Sequence, residues 1–190
     1  MDLDKLYKIQ EELDQHILEK HNIKMSEKEL LDSTILALLV EVGELANTTR
    51  CFKHWSTKGM MDKEIVLEEL ADCLHFYFSI GNQLEIKLNS VINKEYLDNF
   101  VGNFAREENI TKENIIIRLF ILLISRISAL STFLISNLEL NPEYNDINIY
   151  DEVGIIIQTI QMYYKFTDEE IEQAYLKKHE ENYKRQREGY

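Results

Sequence analysis

Apolar residues recur along this chain at steps of three and four, the period of a helix with one buried face. Leu3, Leu6, Ile9, Leu13 and Ile17 mark a first amphipathic helix. Asp32 or Ser33 can cap a second helix running to about Thr49. Its apolar positions (Ile35, Leu36, Leu38, Leu39, Val42, Leu45 and Ala46) cover so wide an arc that burial on most sides is expected. Asp62 opens a third helix through Ile65, Leu67, Leu70, Ala71, Leu74 and Phe78 to Ile80, which Gly81-Asn82 ends or kinks. Residues 85–110 read as one or two short helices with a polar loop around Gly102. Thr111 then caps a long apolar helix to about Leu138, and Asn141-Pro142-Glu143-Tyr144-Asn145 is a strong break. Two more helices follow, at about 147–165 and 168–184, the second with Thr167 as its cap. The runs Ile115-Ile116-Ile117 and Ile155-Ile156-Ile157 favour strands by propensity, but period and length outweigh propensity. The pattern predicts an all-α bundle in a single domain over residues 1–190.

Composition narrows the picture. Six glycines and one proline are too few for a sandwich or barrel, which needs a turn signal every 8–12 residues or so. With 21 basic and 34 acidic residues the net charge is −13, which disfavours generic binding to nucleic acid or an anionic membrane. Cys51 and Cys73 form no CxxC pair and no disulfide framework. The start, Met1-Asp2-Leu3-Asp4-Lys5, lacks the basic and apolar regions of a leader, and Arg118 interrupts the apolar stretch Ile115 to Ile124. A cytoplasmic protein is expected.

The informative residues interrupt the two most apolar helices. Glu41 and Glu44 stand three apart in Leu38-Leu39-Val40-Glu41-Val42-Gly43-Glu44-Leu45, and Glu69 and Asp72 repeat the spacing in the third helix. Residues three apart share a helical face, so each pair projects together. Glu-x-x-Glu is common on solvated faces. Two such pairs on neighbouring apolar helices would repel each other unless a cation neutralised them. Oxygen ligands alone suit Mg²⁺ or Mn²⁺. A di-iron bundle would call for two Glu-x-x-His motifs, and the first pair here has no histidine.

These residues lie in stretches that resemble a known family. The segment from Glu41 to Ser56, with Asn47-Thr48-Thr49-Arg50-Cys51-Phe52-Lys53-His54-Trp55-Ser56 after the first carboxylate pair, is similar to the central motif of the dimeric all-α dUTPases. These belong to the all-α NTP pyrophosphatase superfamily, together with the MazG-type enzymes. Glu69-Leu70-Ala71-Asp72-Cys73-Leu74-His75-Phe76 resembles the second half of the signature. The C-terminal Tyr175, Lys178, Asn182, Arg185-Gln186 and Gly189-Tyr190 resemble the closing motif. The likeness includes phage-type members, some of which also bind bacterial repressors.

The resemblance implies Mg²⁺-dependent hydrolysis of dUTP, and of dUDP, to dUMP, with pyrophosphate leaving dUTP after water attacks the α-phosphorus. It implies that Glu41, Glu44, Glu69 and Asp72 hold Mg²⁺, with Mn²⁺ as a substitute, and that Glu44, or next Glu41, orients or deprotonates the water. Lys178, Asn182 and Arg185, four and three apart on one face, would grip the triphosphate. Gln10 and Asp14 would read the base, Phe76 would pack on the deoxyribose, and Lys53 and Trp55 would close over the site of the same or the partner subunit. A homodimer is implied. His75 reads as a core histidine outside the metal set. The polar end from Gln186 to Tyr190 is expected to order only over substrate. Two alternatives remain: a MazG-like pyrophosphatase for another nucleotide, and a helical interaction protein that binds a repressor or other regulator.

Overall fold

The computed structural model describes residues 1–88, 102, 112–136 and 146–189. Among them are helices α1 (Leu3–Lys20), α2 (Glu27–Thr49), α3 (Lys63–Gln83), α4 (Lys112–Ser136), α5 (Asp146–Tyr163) and α6 (Asp168–Glu188), with no strand. The all-α expectation holds. The Thr111 cap, the Pro142 break and nearly all of the segment 85–110 lie outside the described residues.

The helices fall into two compact units. The first contains α1, α2, α3 and α6, with α3 packed against each of the other three. Its core joins Leu6 and Leu13 of α1, Leu38 and Val42 of α2, Leu70 and Phe78 of α3, and Ile171 and Tyr175 of α6. Polar side chains tie the same elements: Asn82 Nδ2 donates to the Tyr7 carbonyl at 2.9 Å, and Gln83 Nε2 donates to Thr34 Oγ1 at 2.9 Å. Accordingly α3 runs through Gly81-Asn82 instead of ending there.

Local chemistry sets the helix starts. Asp2 accepts from the Lys5 amide at the head of α1. Thr167 and Glu170 form a reciprocal capping box on α6, as the sequence predicts. Helix α2 begins six or seven residues earlier than Asp32 or Ser33 would place it, because Ser26 and Glu29 exchange the same pair of bonds. Nor is α2 buried on most sides: Leu36 and Val40 are 63% and 51% exposed, on the face away from Leu38 and Val42.

The second unit contains the Arg50–Gly59 loop with α4 and α5, which pack against each other. Ile116, Leu119, Leu123 and Ile127 of α4 and Tyr150, Val153, Ile156 and Ile160 of α5 are buried. The stretch Asn114–Thr132, with a mean hydropathy of 1.9, is long and apolar enough to cross a membrane by length and composition, which exceeds the sequence expectation. A core helix passes the same test, and here Arg126 pairs with Glu152 of α5 at 2.9 Å. Cys51 and Cys73 are thiols rather than a disulfide.

Candidate active site

Within the first unit, α2 and α3 bring three of the four expected carboxylates together. One oxygen from each of Glu41, Glu69 and Asp72 lies within 4.8 Å of the others, and all three residues are half-buried. Glu44 projects from α2 one turn further round and is exposed. Burial first, then the charges of Asp72, Glu44 and Glu69, pushes the Glu41 carboxyl up to about 7. Glu69 and Asp72 are raised as well, burial again leading. A cluster of anions that resists its own ionisation lacks positive charge, and an all-oxygen donor set of this size fits a hard divalent cation.

The protein supplies part of that charge itself. Lys178, only 8% exposed, reaches from α6 to Asp72 Oδ2 at 2.7 Å and to Glu68 Oε1 at 3.0 Å. Burial alone would lower its pKa, but these two hydrogen bonds raise it on balance, so the ammonium ion persists. Asn182 and Arg185 follow on α6, both half-buried, with Arg185 donating to Glu181 at 2.6 Å. Helix α6 already extends to Glu188, and Gln186 is buried and hydrogen-bonded to His21, the C-cap of α1. The expected ordering of Gln186 upon binding is therefore not needed to form the helix.

Along α3 from the carboxylates, a cleft of about 340 Å³ opens between α1, α2 and α3. Its polar lining includes Asp14, Thr34, Ser79 and Gln83, and Phe76 forms part of its wall. Phe76 is half-buried in this cleft, not a core residue. Gln10 lies behind Asp14, 4% exposed, with its amide engaged inside the protein. Its Nε2 donates to Asp14 Oδ1 at 2.7 Å, and its Oε1 accepts from the Tyr175 hydroxyl at 2.7 Å and faces His75 Nδ1 at 2.6 Å. His75 stacks on Tyr175 with ring centres 4.0 Å apart, and burial holds its imidazole down to about 3, so it is neutral. It is a core histidine, as expected. Tyr175 and Ser79, which the sequence reading did not single out as site residues, belong to this network. Tyr175 stands in the closing motif, three residues before Lys178, so the signal was present.

Lys53 and Trp55 lie in the loop of the second unit. Trp55 is 66% exposed and meets His54 edge-on at 5.0 Å, while the Lys53 ammonium sits 5.6 Å from the Phe52 ring centre.

Six described helices, an acidic triad on two of them and a buried lysine from a third compose an all-α site suited to a divalent cation and a phosphate-bearing ligand. A family model described as dUTPase matches residues 2–190, spanning both units, and the chain belongs to this dUTPase family. Its members hydrolyse dUTP, and the chain is a dUTP diphosphatase. No curated protein sequence matches it.

Proposed function

We propose that the protein converts dUTP to dUMP and pyrophosphate, and dUDP to dUMP and phosphate, with Mg²⁺ bound by Glu41, Glu69 and Asp72 and by Glu44 once substrate is present. The observation that carries this reading is the half-buried triad with Lys178 beside it. A divalent ion there neutralises phosphate charge and lowers the pKa of a bound water; Mn²⁺ can substitute. Glu44, or next Glu41, takes the proton of the water that attacks the α-phosphorus. Lys178, Asn182 and Arg185 hold the phosphates, and the cleft beside Phe76 and Asp14 takes the sugar and base, with Gln10 supporting Asp14. Lys53 and Trp55, of the same or the partner subunit, close over the nucleotide. The outward stripe of Leu36 and Val40 on α2 supports a homodimer, since a second copy would cover it. A cytoplasmic location belongs to the same reading, as does a repressor protein as a second partner if the protein is phage-encoded.

Pyrophosphate release from dUTP, dTTP, dCTP and UTP, with and without Mg²⁺, tests it. Turnover is expected for dUTP only when the metal is present. Equal rates on all four would make the enzyme a broad nucleotide pyrophosphatase of the MazG type.

Changing Lys178 and Arg185 together to Ala should lower kcat/KM by at least about a hundredfold, with KM raised and kcat reduced. A charge clamp that binds the phosphates also stabilises the transition state, so both constants should move. Normal kinetics in the double variant would return these cations to a purely structural role.

A further inference from the structure

The buried amide of Gln10 admits two orientations, and each belongs to one protonation state of Asp14. An amide oxygen carries no hydrogen, and a neutral imidazole carries one. In the structure Gln10 Oε1 accepts from the Tyr175 hydroxyl and from His75 Nδ1–H, while Gln10 Nε2 donates to Asp14 Oδ1. Asp14 is then an acceptor towards Gln10 and towards the Ser79 hydroxyl. Turning the amide over would place Oε1 against Asp14, which only a protonated Asp14 could satisfy by donating. Gln10 Nε2 would then donate to His75 Nδ1, and His75 Nε2–H to the Tyr175 carbonyl 3.3 Å away.

The first state leaves the bare His75 Nε2 facing the Tyr175 carbonyl at a long 3.3 Å, and the hydroxyl of Tyr175 sets the balance against that cost. In the first its proton goes to Gln10 Oε1; in the second that acceptor has turned away, and a fully buried donor loses its bond. Burial, and then the Asp14 charge, raises the phenol pKa far above neutrality, so the hydroxyl remains a donor.

We propose that Tyr175 is a positioning residue for base selection: its hydroxyl holds the Gln10 amide with N–H towards Asp14, which keeps Asp14 an acceptor at the cleft. The proposal rests on the reading that the base enters this cleft. Uracil presents an N3–H donor, whereas cytosine presents a bare N3 acceptor. A carboxylate welcomes the first and repels the second. The groups around Asp14 leave this balance close. Glu11 on α1 and burial oppose ionisation, while Gln10 on α1 and Ser79 on α3 favour it, and Asp14 titrates at about 6. His75 on α3 is neutral, Tyr175 and Tyr183 on α6 stay protonated, and α2 contributes Thr34, which does not titrate.

The test measures kcat and KM for dUTP and dCTP with Mg²⁺ between pH 5 and 8.5, in wild type, Tyr175→Phe, Gln10→Met and the double variant. Tyr175→Phe keeps the ring on His75, and thermal melting checks the fold of each variant. In wild type the dUTP/dCTP ratio of kcat/KM should fall as pH drops through about 6, where Asp14 acquires a donor. Tyr175→Phe should lower the ratio about tenfold at neutral pH and move its midpoint upward, through KM and not kcat. Gln10→Met should shift the midpoint the same way, and adding Tyr175→Phe to it should change nothing further. A folded Tyr175→Phe variant with the wild-type ratio and midpoint would overturn the proposal. Asp14→Ala distinguishes that failure from the failure of the underlying reading: if it leaves the KM for dUTP unchanged, the base does not use this cleft.

Discussion

Replacing Glu41 by Gln should lower dUTP turnover by at least about a thousandfold and raise the melting temperature of the chelator-treated protein by a few degrees. Both effects have one origin. Glu41 shares a half-buried site with Glu69 and Asp72, and its charge is opposed by burial and by three neighbouring carboxylates. Without a cation the folded state holds these anions against their repulsion, and Gln relieves it at nearly constant volume. With a cation the same substitution removes one of the grouped oxygens. Glu44→Gln supplies the contrast. Glu44 is exposed, so its loss should leave the melting temperature nearly unchanged while reducing turnover if it serves as the base. Calorimetry with chelator and single-turnover kinetics with Mg²⁺ measure the two sides. A Glu41→Gln protein that melts well below wild type would make Glu41 a structural acceptor.

Acid should act on the Gln10 network in two opposite ways. His75 titrates at about 3 in the fold and near 6.5 when unfolded, so across that window the unfolded chain binds more protons. Stability from this residue falls as pH drops, with a slope approaching about 1.4 kcal/mol per pH unit. Asp14 titrates at about 6 in the fold against 3.8 when unfolded, so there the folded chain binds more protons and stability rises as pH drops. Between about pH 6 and 4 the two contributions nearly cancel. His75→Gln should therefore gain stability relative to wild type on acidification, and Asp14→Asn should lose it. Urea unfolding from pH 7 to 4 checks both signs. Parallel curves for Asp14→Asn and wild type would mean that Asp14 is ionised throughout.

Much of this architecture can be read from residue spacing. The three- and four-residue periods locate every described helix, and the Glu41/Glu44 and Glu69/Asp72 pairs stand out because they interrupt apolar runs. Spacing alone does not show that Glu41 is half-buried against Glu69 and Asp72 while Glu44 is exposed, since that depends on how the helices are rotated when packed. The start of α2 was written in Ser26-Glu27-Lys28-Glu29, but the apolar run beginning at Ile35 draws attention past it. Leu36 and Val40 illustrate a limit of a different kind. Hydrophobicity marks surface that prefers cover without saying whether this chain or another supplies it. The Gln10–Tyr175 bond joins residues 165 apart, a long-range meeting that no local pattern encodes.

That separation also bears on synthesis. The first unit is discontinuous, assembled from residues 1–49, 60–87 and 167–190. Its last helix carries both the partner of Gln10 and the lysine that sits among the carboxylates. A nascent chain can pair α2 with α3 early, but α1 and α3 lack their third packing surface until α6 leaves the ribosome. At about 5–20 residues added per second, the roughly 80 residues between α3 and α6 impose a delay of several seconds. During it, an acidic half-site and a bare apolar flank are exposed to chaperones and to other nascent chains. Completion of this site waits for α6, whose docking acts as the closing step of folding for the first unit.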